Sequence, residues 1–430
     1  MSRLIRVAYT TLAPFVSGAE RSLQITMRHA RSAGIEPIVI GPPGAKLAEW
    51  CEHNGFAFHA TPFELRDKWH AWAWWKSKRG LARLLRDQQI DVVHANQIWC
   101  YPMTGAAGAA VGIPRVCHLR DEANPKTLHW FCKTGVDAVI CISRHIRRQA
   151  EDAWPSGSNR PVITTLVNAV DLPTAEMLQS PLPEPQCAPP NERDGGINPQ
   201  SPKSIPEPVE LPFLPACAQS QATWNAVSRR FFCVPPPITL FGFIGQIREV
   251  KGLLELLETL ARLPSHLQWH LIVAGRDPRP GAPYEALCRR RALQPDLAGK
   301  VTFVGFLDNS DAFYRAIDVA IVPSQEEPLG RIPLEAAAFA KPSIAFDVGG
   351  LPDTIVDGKT GWLVPAADWT AMGMAIQRCI ATDTRAIGAA ARNWVAKVAD
   401  PTAYANRLAS LYGQLLGDSV PSHAAAVVTA

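Results

Sequence analysis

The sequence predicts an α/β protein of two domains, each a parallel sheet covered by helices on both faces. Three observations carry this. Apolar strand-like runs alternate with helix-length segments in both halves. A proline-rich stretch interrupts the alternation midway, and 430 residues exceed what one ordinary core accommodates.

The first half opens with a strand over 4–10 and a loop holding Ser17 and Gly18. A helix over 19–33 follows, with Gly34 placed to stop it. Further strands are expected at 37–40, 91–95, 115–119, 138–142 and 162–167. Residues 173–215 then contain twelve prolines in 43 positions, too many for ladder or helix hydrogen bonds. They read as a mobile, partly extended insertion. The alternation restarts with strands at 238–244, 269–273, 301–304, 319–322 and 343–346. The stretch 385–416 reads as helical with a break at Pro401. The expected division is therefore a first domain at 1–172, an insertion and linker at 173–237, a second domain at 238–384, and C-terminal helices at 385–430 that cross back to the first domain.

A composition of 47% hydrophobic and 19% charged residues is that of a folded globular protein. No apolar run reaches the roughly 18 residues a membrane span requires, and the first residues lack a signal-peptide pattern, so a cytoplasmic protein is expected. Ten cysteines are scattered without a Cys-x-x-Cys pair, which suits a reducing compartment and argues against a zinc site. Net charge is +4, yet residues 1–172 hold 21 Lys and Arg against 14 Asp and Glu. That basic half fits a phosphate, acidic lipid or acidic glycan partner, and is too mildly charged for nucleic acid.

The densest chemical signal is the run from Pro323 to Glu335, Pro-Ser-Gln-Glu-Glu-Pro-Leu-Gly-Arg-Ile-Pro-Leu-Glu. It follows an expected strand, and ligands of open α/β sheets sit beyond the carboxyl ends of strands. Gly330 permits close backbone approach, and Pro333 suits the first turn of a helix whose amides could seat a diphosphate. Glu327 falls in the loop and Glu335 on the helix, where a carboxylate could accept ribose hydroxyls.

This run, with Asp347-Val-Gly-Gly-Leu-Pro-Asp353, Asp357-Gly-Lys-Thr-Gly361, Ile272-Val-Ala-Gly275 and Gly242-Phe-Ile-Gly-Gln-Ile-Arg-Glu-Val-Lys-Gly252, resembles glycosyltransferase family 4. Ser17-Gly-Ala-Glu20, Asp91-Val-Val-His-Ala95 and Asn168-Ala-Val-Asp-Leu172 fall in the family's order, so the resemblance covers nearly the whole chain outside the insertion. It implies a GT-B fold: two Rossmann-like domains facing across a cleft, the first on the acceptor side and the second binding the nucleotide-sugar. It also implies retaining transfer of a sugar to a hydroxyl acceptor, in polysaccharide, lipopolysaccharide or glycolipid synthesis.

By the same resemblance Glu327 would bind hydroxyls of the donor sugar, Glu335 the ribose, and Lys251 the diphosphate as it leaves. His118 would face the sugar near the bond that breaks, Gly18 would approach the phosphates through its backbone, and Leu329 and Gly330 would flank the donor. The family's usual arginine is replaced by Gln246, with Arg248 two residues on as a substitute. No Asp-x-Asp or His/carboxylate cluster marks a metal site, so neither cofactor nor metal is expected. A non-catalytic nucleotide-sugar-binding protein is the alternative that Gln246 supports, with a GT-B epimerase or phosphorylase behind it. A dinucleotide-dependent dehydrogenase is disfavoured, since no Gly-x-Gly-x-x-Gly follows the first strand.

One segment stands apart from this chemistry. Residues 68–86 combine four tryptophans with six Lys or Arg, a composition suited to an anionic membrane surface. A helix packing those tryptophans into the core is the competing reading.

Overall fold

The computed structural model describes residues 3–63, 71–154, 160–179, 238–307 and 309–417. The proline-rich insertion therefore lies mostly outside the described residues. Its described beginning departs from expectation: Ala175–Gln179 is a short helix. No proline falls between Thr174 and Gln179, and the Thr174 hydroxyl accepts from the Met177 amide at 3.1 Å to start the turn.

Contacts divide the chain into two units. The first comprises Met1–Asp171, Glu327–Arg331 and Val395–Ala430; the second comprises Leu172–Glu326 and Ile332–Trp394. In the first unit, β1 (Ile5–Thr10), β2 (Ile35–Gly41), β3 (Ala57–Ala60), β4 (Val92–Ala95), β5 (Arg115–Leu119), β6 (Ala138–Cys141) and β7 (Val162–Thr165) form one sheet ordered β3-β2-β1-β4-β5-β6-β7. All its pairings are parallel. Side chains alternate between its faces. Val7, Tyr9, Val116 and Ile140 pack with Leu23 and Met27 of helix Gly18–Ala30, and with Leu408 and Tyr412 of helix Pro401–Leu416. Ala8, Ile38 and Val93 face the other way, against Leu81 and Leu85 of helix Ala71–Asp87.

The second unit repeats the plan. Strands β8 (Thr239–Ile244), β9 (Trp269–Ala274), β10 (Val301–Gly305), β11 (Val319–Val322), β12 (Ser343–Phe346) and β13 (Gly361–Val364) run parallel in the order β10-β9-β8-β11-β12-β13. Phe241, Leu256, Leu271, Ile321 and Phe346 form its core. Two strands escaped the sequence reading, β3 and β13. Both are four-residue edge strands, one half-exposed and the other opening on a glycine. The expected helix over 19–33 is α-helical only to Ala30, tightens to a 3₁₀ turn over Arg31–Ala33, and ends at Gly34 with φ 86°.

One glycine explains a motif of the second half. Gly275 has φ +132°, its amide bonds the Gly305 carbonyl at 2.7 Å, and a Cβ placed on it would lie 1.8 Å from the Gly245 carbonyl oxygen. The ends of β8, β9 and β10 therefore close together only without a side chain here. Gly275→Ala is expected to destabilise the second unit by about 2–4 kcal/mol. The exposed helical Gly80, with open space around it, serves as the contrast: Gly80→Ala should stabilise by about 0.5–1 kcal/mol. Urea melts of the two variants test both.

A buried polar chain ties the C-terminal helix to the first sheet. The Tyr9 and Tyr412 hydroxyls meet at 3.2 Å, and Tyr412 Oη lies 2.6 Å from His94 Nδ1. Burial, with the nearby Arg120 charge, pushes the His94 imidazole down to about 3. Above about pH 6.5 His94 is neutral in both folded and unfolded chains. As pH falls toward 3 the unfolded chain takes up a proton that the folded one refuses, so stability is lost in that window. His94→Gln should therefore flatten the decline of unfolding free energy between about pH 6 and pH 4, by on the order of 1 kcal/mol per pH unit. Denaturant melts across that range measure the slope.

Candidate functional site

In each sheet the strand order reverses beside the unit's first strand, between β1 and β4 and between β8 and β11. Crossovers diverge at such a point and leave a crevice at the carboxyl ends of the strands. In the second unit, β8 runs into Gly245, Gln246 and a 3₁₀ turn at Glu249–Lys251. Gly252 ends the turn at φ 67°, and a Cβ there would stand 2.4 Å from the Pro323 carbonyl oxygen. Glycine thus lets the Lys251 turn press against the loop that follows β11. The Gln325 amide completes the join by donating to the Val250 carbonyl at 2.9 Å. Lys251 and Ser324 line a cavity of about 20 Å³ at this junction, with Gly245, Pro323 and Ile332.

Charges around the turn are arranged rather than scattered. Arg279 donates to Glu249 at 2.9 Å and to both Asp277 carboxylate oxygens, at 2.9 and 2.8 Å. Those bonds hold the Asp277 carboxyl well below the usual carboxylate range. Glu249, two residues before Lys251, is thereby engaged by a different cation. Gln246 and Arg248 are both exposed.

Helix Arg331–Ala338 begins after Gly330, whose φ is 93°. Pro333 is its third residue and is buried, and Glu335, its fifth, is half-buried. The Glu335 carboxylate accepts from Tyr314 Oη at 2.8 Å, and the Tyr314 ring stacks on Phe339 at 5.7 Å. Sequence reasoning missed Tyr314, which lies in an unremarkable helical run 21 residues upstream. Glu327 is half-buried in the loop and Leu329 is buried. Their segment groups with the first unit. There Ser143 Oγ donates to the Pro328 carbonyl at 2.6 Å, and Arg331 to Ser22 Oγ at 2.6 Å and the Gly18 carbonyl at 3.2 Å.

The first unit offers a second polar group at the same kind of edge. Gly18 opens its helix, but the position before it caps that helix. The Ser17 hydroxyl accepts from the Ala19 amide, and Glu20 reaches back to the Ser17 amide at 3.1 Å and accepts from Thr11 Oγ1 at 2.8 Å. Ser17 is thus a capping residue.

His118, next to last in β5, is 1% exposed. Its ring stacks on His94 at a centroid distance of 5.6 Å, and neither ring nitrogen has a hydrogen-bond partner. Burial and the Arg120 charge depress its pKa well below the ordinary value, so the imidazole is neutral. Arg120 itself was missed by sequence reasoning. It is 7% exposed and donates to the Asn96 carbonyl at 2.9 Å, to Asn96 Oδ1 at 3.0 Å and to Asn168 Oδ1 at 2.8 Å. One guanidinium therefore braces the segments after β4 and β7 beside His118. The available signal was three polar residues, Asn96, Arg120 and Asn168, each just beyond an apolar strand.

The structure thus brings Gly18, His118 and Arg120 to one edge of the first sheet, and Lys251, Ser324 and the helix of Glu335 to one edge of the second. Among the described residues no group of His, Cys, Asp or Glu is placed to hold a metal ion. The seven described cysteines are free and buried.

Residues 16–172 match the family model for Glycosyltransferase Family 4, and residues 235–397 that for Glycosyl transferases group 1. A lipopolysaccharide core biosynthesis mannosyltransferase of Rhizobium meliloti is 32% identical over 187 residues, 42% of this chain and 53% of the relative. A D-inositol 3-phosphate glycosyltransferase of Mycolicibacterium gilvum is 31% identical over 169 residues, 39% of this chain and 38% of that protein. The chain spans about half the length, or less, of these curated relatives. Among solved structures, Anabaena HepE in complex with UDP superposes with a TM-score of 0.74 at 16% identity, covering 95% of this chain and 100% of that one. The lipopolysaccharide outer core galactosyltransferase WaaB superposes with a TM-score of 0.65 at 16% identity, covering 95% and 99%. With both halves matched by family models and both sheets of the expected kind, the chain belongs to glycosyltransferase family 4 and has the GT-B fold.

Proposed function

We propose that this protein is a retaining, metal-independent glycosyltransferase working in the cytoplasm, moving a hexose from a nucleoside-diphosphate donor to the hydroxyl of a glycan or lipid-linked acceptor. The observation that carries the reading is the junction of the Lys251 turn with the Pro323–Gln325 loop at the β8/β11 switch point. It ties the backbone of the Lys251 turn to the loop after β11, at the kind of edge where open α/β sheets receive ligands. The names of the relatives, a lipopolysaccharide mannosyltransferase and inositol-phosphate glycosyltransferases, support a role in cell-surface polysaccharide, lipopolysaccharide or glycolipid synthesis. The UDP and UDP-glucose complexes of HepE support a nucleotide-sugar donor.

In this reading the acceptor hydroxyl attacks the anomeric carbon on the face that the diphosphate leaves, the bond to the diphosphate breaks, and the hydroxyl proton passes to the departing phosphate oxygen. Lys251 meets the charge that develops on the leaving group, and a preorganised cation does so without reorganisation cost. Glu335, oriented by Tyr314, accepts the ribose hydroxyls. Glu327 binds hydroxyls of the sugar, with Leu329 and Gly330 beside it. His118 is neutral at working pH, so it acts as a hydrogen-bonding ring and backbone carbonyl near the sugar rather than as a proton donor. Gly18 offers backbone to the phosphates.

Lys251→Ala is expected to lower turnover by about 10²–10³-fold with a smaller change in donor KM. Glu335→Gln should weaken donor binding by about 10–100-fold, and Tyr314→Phe should move it in the same direction by less. Turnover should survive EDTA. Release of nucleoside diphosphate, measured after a thermal-shift screen of UDP, GDP, dTDP and ADP sugars, checks all of these. The exposed Gln246 favours a second reading, a binding protein without turnover. A thermal shift with no diphosphate released from any donor would establish that one instead.

A further inference from the structure

The tryptophan- and lysine-rich segment is left unused by donor chemistry, and the structure divides its side chains sharply. Helix Ala71–Asp87 seats Leu81, Ala82 and Leu85 in the core, and Trp74 packs against the same cluster. Trp69 lies outside the described residues. The opposite face is a stripe at spacings of three and four: Trp72, Trp75, Lys76, Arg79, Arg83 and Arg86, all exposed. Residues at these spacings share one side of a helix that turns about 100° per residue. Trp72 is 71% exposed and Trp75 44%. Trp99 and Trp130 are exposed too, at 49% and 42%, so what marks this stripe is two rings sharing one helix face with four cations.

The cations lie beside the rings. The Arg79 guanidinium is 3.6 Å from the Trp75 ring centroid, and Lys76 Nζ is 5.5 Å from that of Trp72. From residue 71 to residue 86 the helix contains no acidic residue. Helix order adds a placement: this helix precedes β4 in a parallel sheet, so its first turns, which carry both tryptophans, lie toward the carboxyl edge. That is the edge holding Gly18 and His118.

We propose that this stripe docks the first unit on an anionic bilayer surface. Indole rings favour the zone between headgroups and acyl chains, and basic side chains gather anionic headgroups at the same depth. Only a surface with both properties satisfies the whole stripe. The rings require a shallow apolar layer, and the four cations, spread over three turns, require charge extended along it. Docking would bring the acceptor-facing edge of the first sheet to the membrane, where a lipid-linked acceptor resides.

The test is flotation of the full chain with vesicles of phosphatidylcholine alone, or mixed equally with phosphatidylglycerol. Binding is expected to the mixed vesicles only, and to fall steeply as salt rises from about 0.05 to about 0.5 M. Arg79→Glu with Arg83→Glu should lower partitioning at least about thirtyfold, and Trp72→Ser with Trp75→Ser roughly tenfold. Lys133→Glu with Arg160→Glu makes the same net-charge change at exposed positions off the stripe, just before β6 and β7 at the opposite edge, and should leave binding unchanged. Circular-dichroism melts and donor binding of every variant confirm that each is folded, and keep this result separate from the donor reading. Failure to float with mixed vesicles overturns the proposal. So does equal binding to neutral vesicles, or equal loss in the off-stripe pair. Retention on alginate beads that mixed vesicles cannot relieve would also overturn it, assigning the stripe to an acidic glycan.

Discussion

Strand order is the constraint on which the rest of this structure depends. A parallel sheet obliges every connection to return over a face, so every helix starts at the carboxyl edge. Where the order reverses beside β1 and beside β8, neighbouring connections leave toward opposite faces and the edge opens. The residues with chemical potential collect at these openings: Gly18 after β1, Asn96 after β4, Lys251 after β8 and Ser324 after β11. Their clustering is a consequence of topology before it is a consequence of any side chain. Gly275 shows how tight that edge is, since its backbone and that of Gly245 approach closer than a methyl group allows.

Most of the fold was legible because buried parallel strands write themselves as apolar runs, and eleven of them were read within a few residues of their ends. The failures share a cause. The edge strands β3 and β13 have one neighbour each, so they need neither length nor continuous hydrophobicity. Ala175–Gln179 was missed because a proline count over 43 residues hides the seven-residue gap between Pro173 and Pro181. In the site, residue identities came through family resemblance, and local physics recovered only their element types. What no sequence argument supplied was burial of polar side chains. An arginine after a strand reads as a solvated residue, yet Arg120 is enclosed by Asn96 and Asn168. The two faces of helix Ala71–Asp87, in contrast, follow from spacing alone, since Trp74 falls among the leucine positions while Trp72 and Trp75 fall among the cations.

Arg120 and the two histidines illustrate how a buried charge shapes its surroundings. A guanidinium removed from water must be satisfied by hydrogen bonds, and here neutral amide oxygens of Asn96 and Asn168 accept from it. Its field then works with burial to hold His94 and His118 neutral. A neutral imidazole has one donor and one acceptor nitrogen, and His118 uses neither inside the protein. That leaves an uncharged imidazole enclosed beside the edge, unsuited to delivering protons at neutral pH.

The substitution at Gln246 can be weighed against the same electrostatics. An amide offers a donor to a phosphate oxygen but brings no charge, so in the proposed reaction Coulombic stabilisation of the departing diphosphate would fall more heavily on Lys251. Two features of the second unit raise what one ammonium can contribute. The turn carrying it is pinned by the Gly252 contact and the Gln325–Val250 bond, so its backbone is already in place. Glu249, the acid nearest in sequence, is paired with Arg279, which screens its charge. A single well-placed cation beside a screened carboxylate can do more for a leaving group than two mobile ones in water, since its attraction grows as the local dielectric falls. Under the proposed function, glutamine in place of the arginine is therefore compatible with turnover, at the expense of the redundancy a second charge would give.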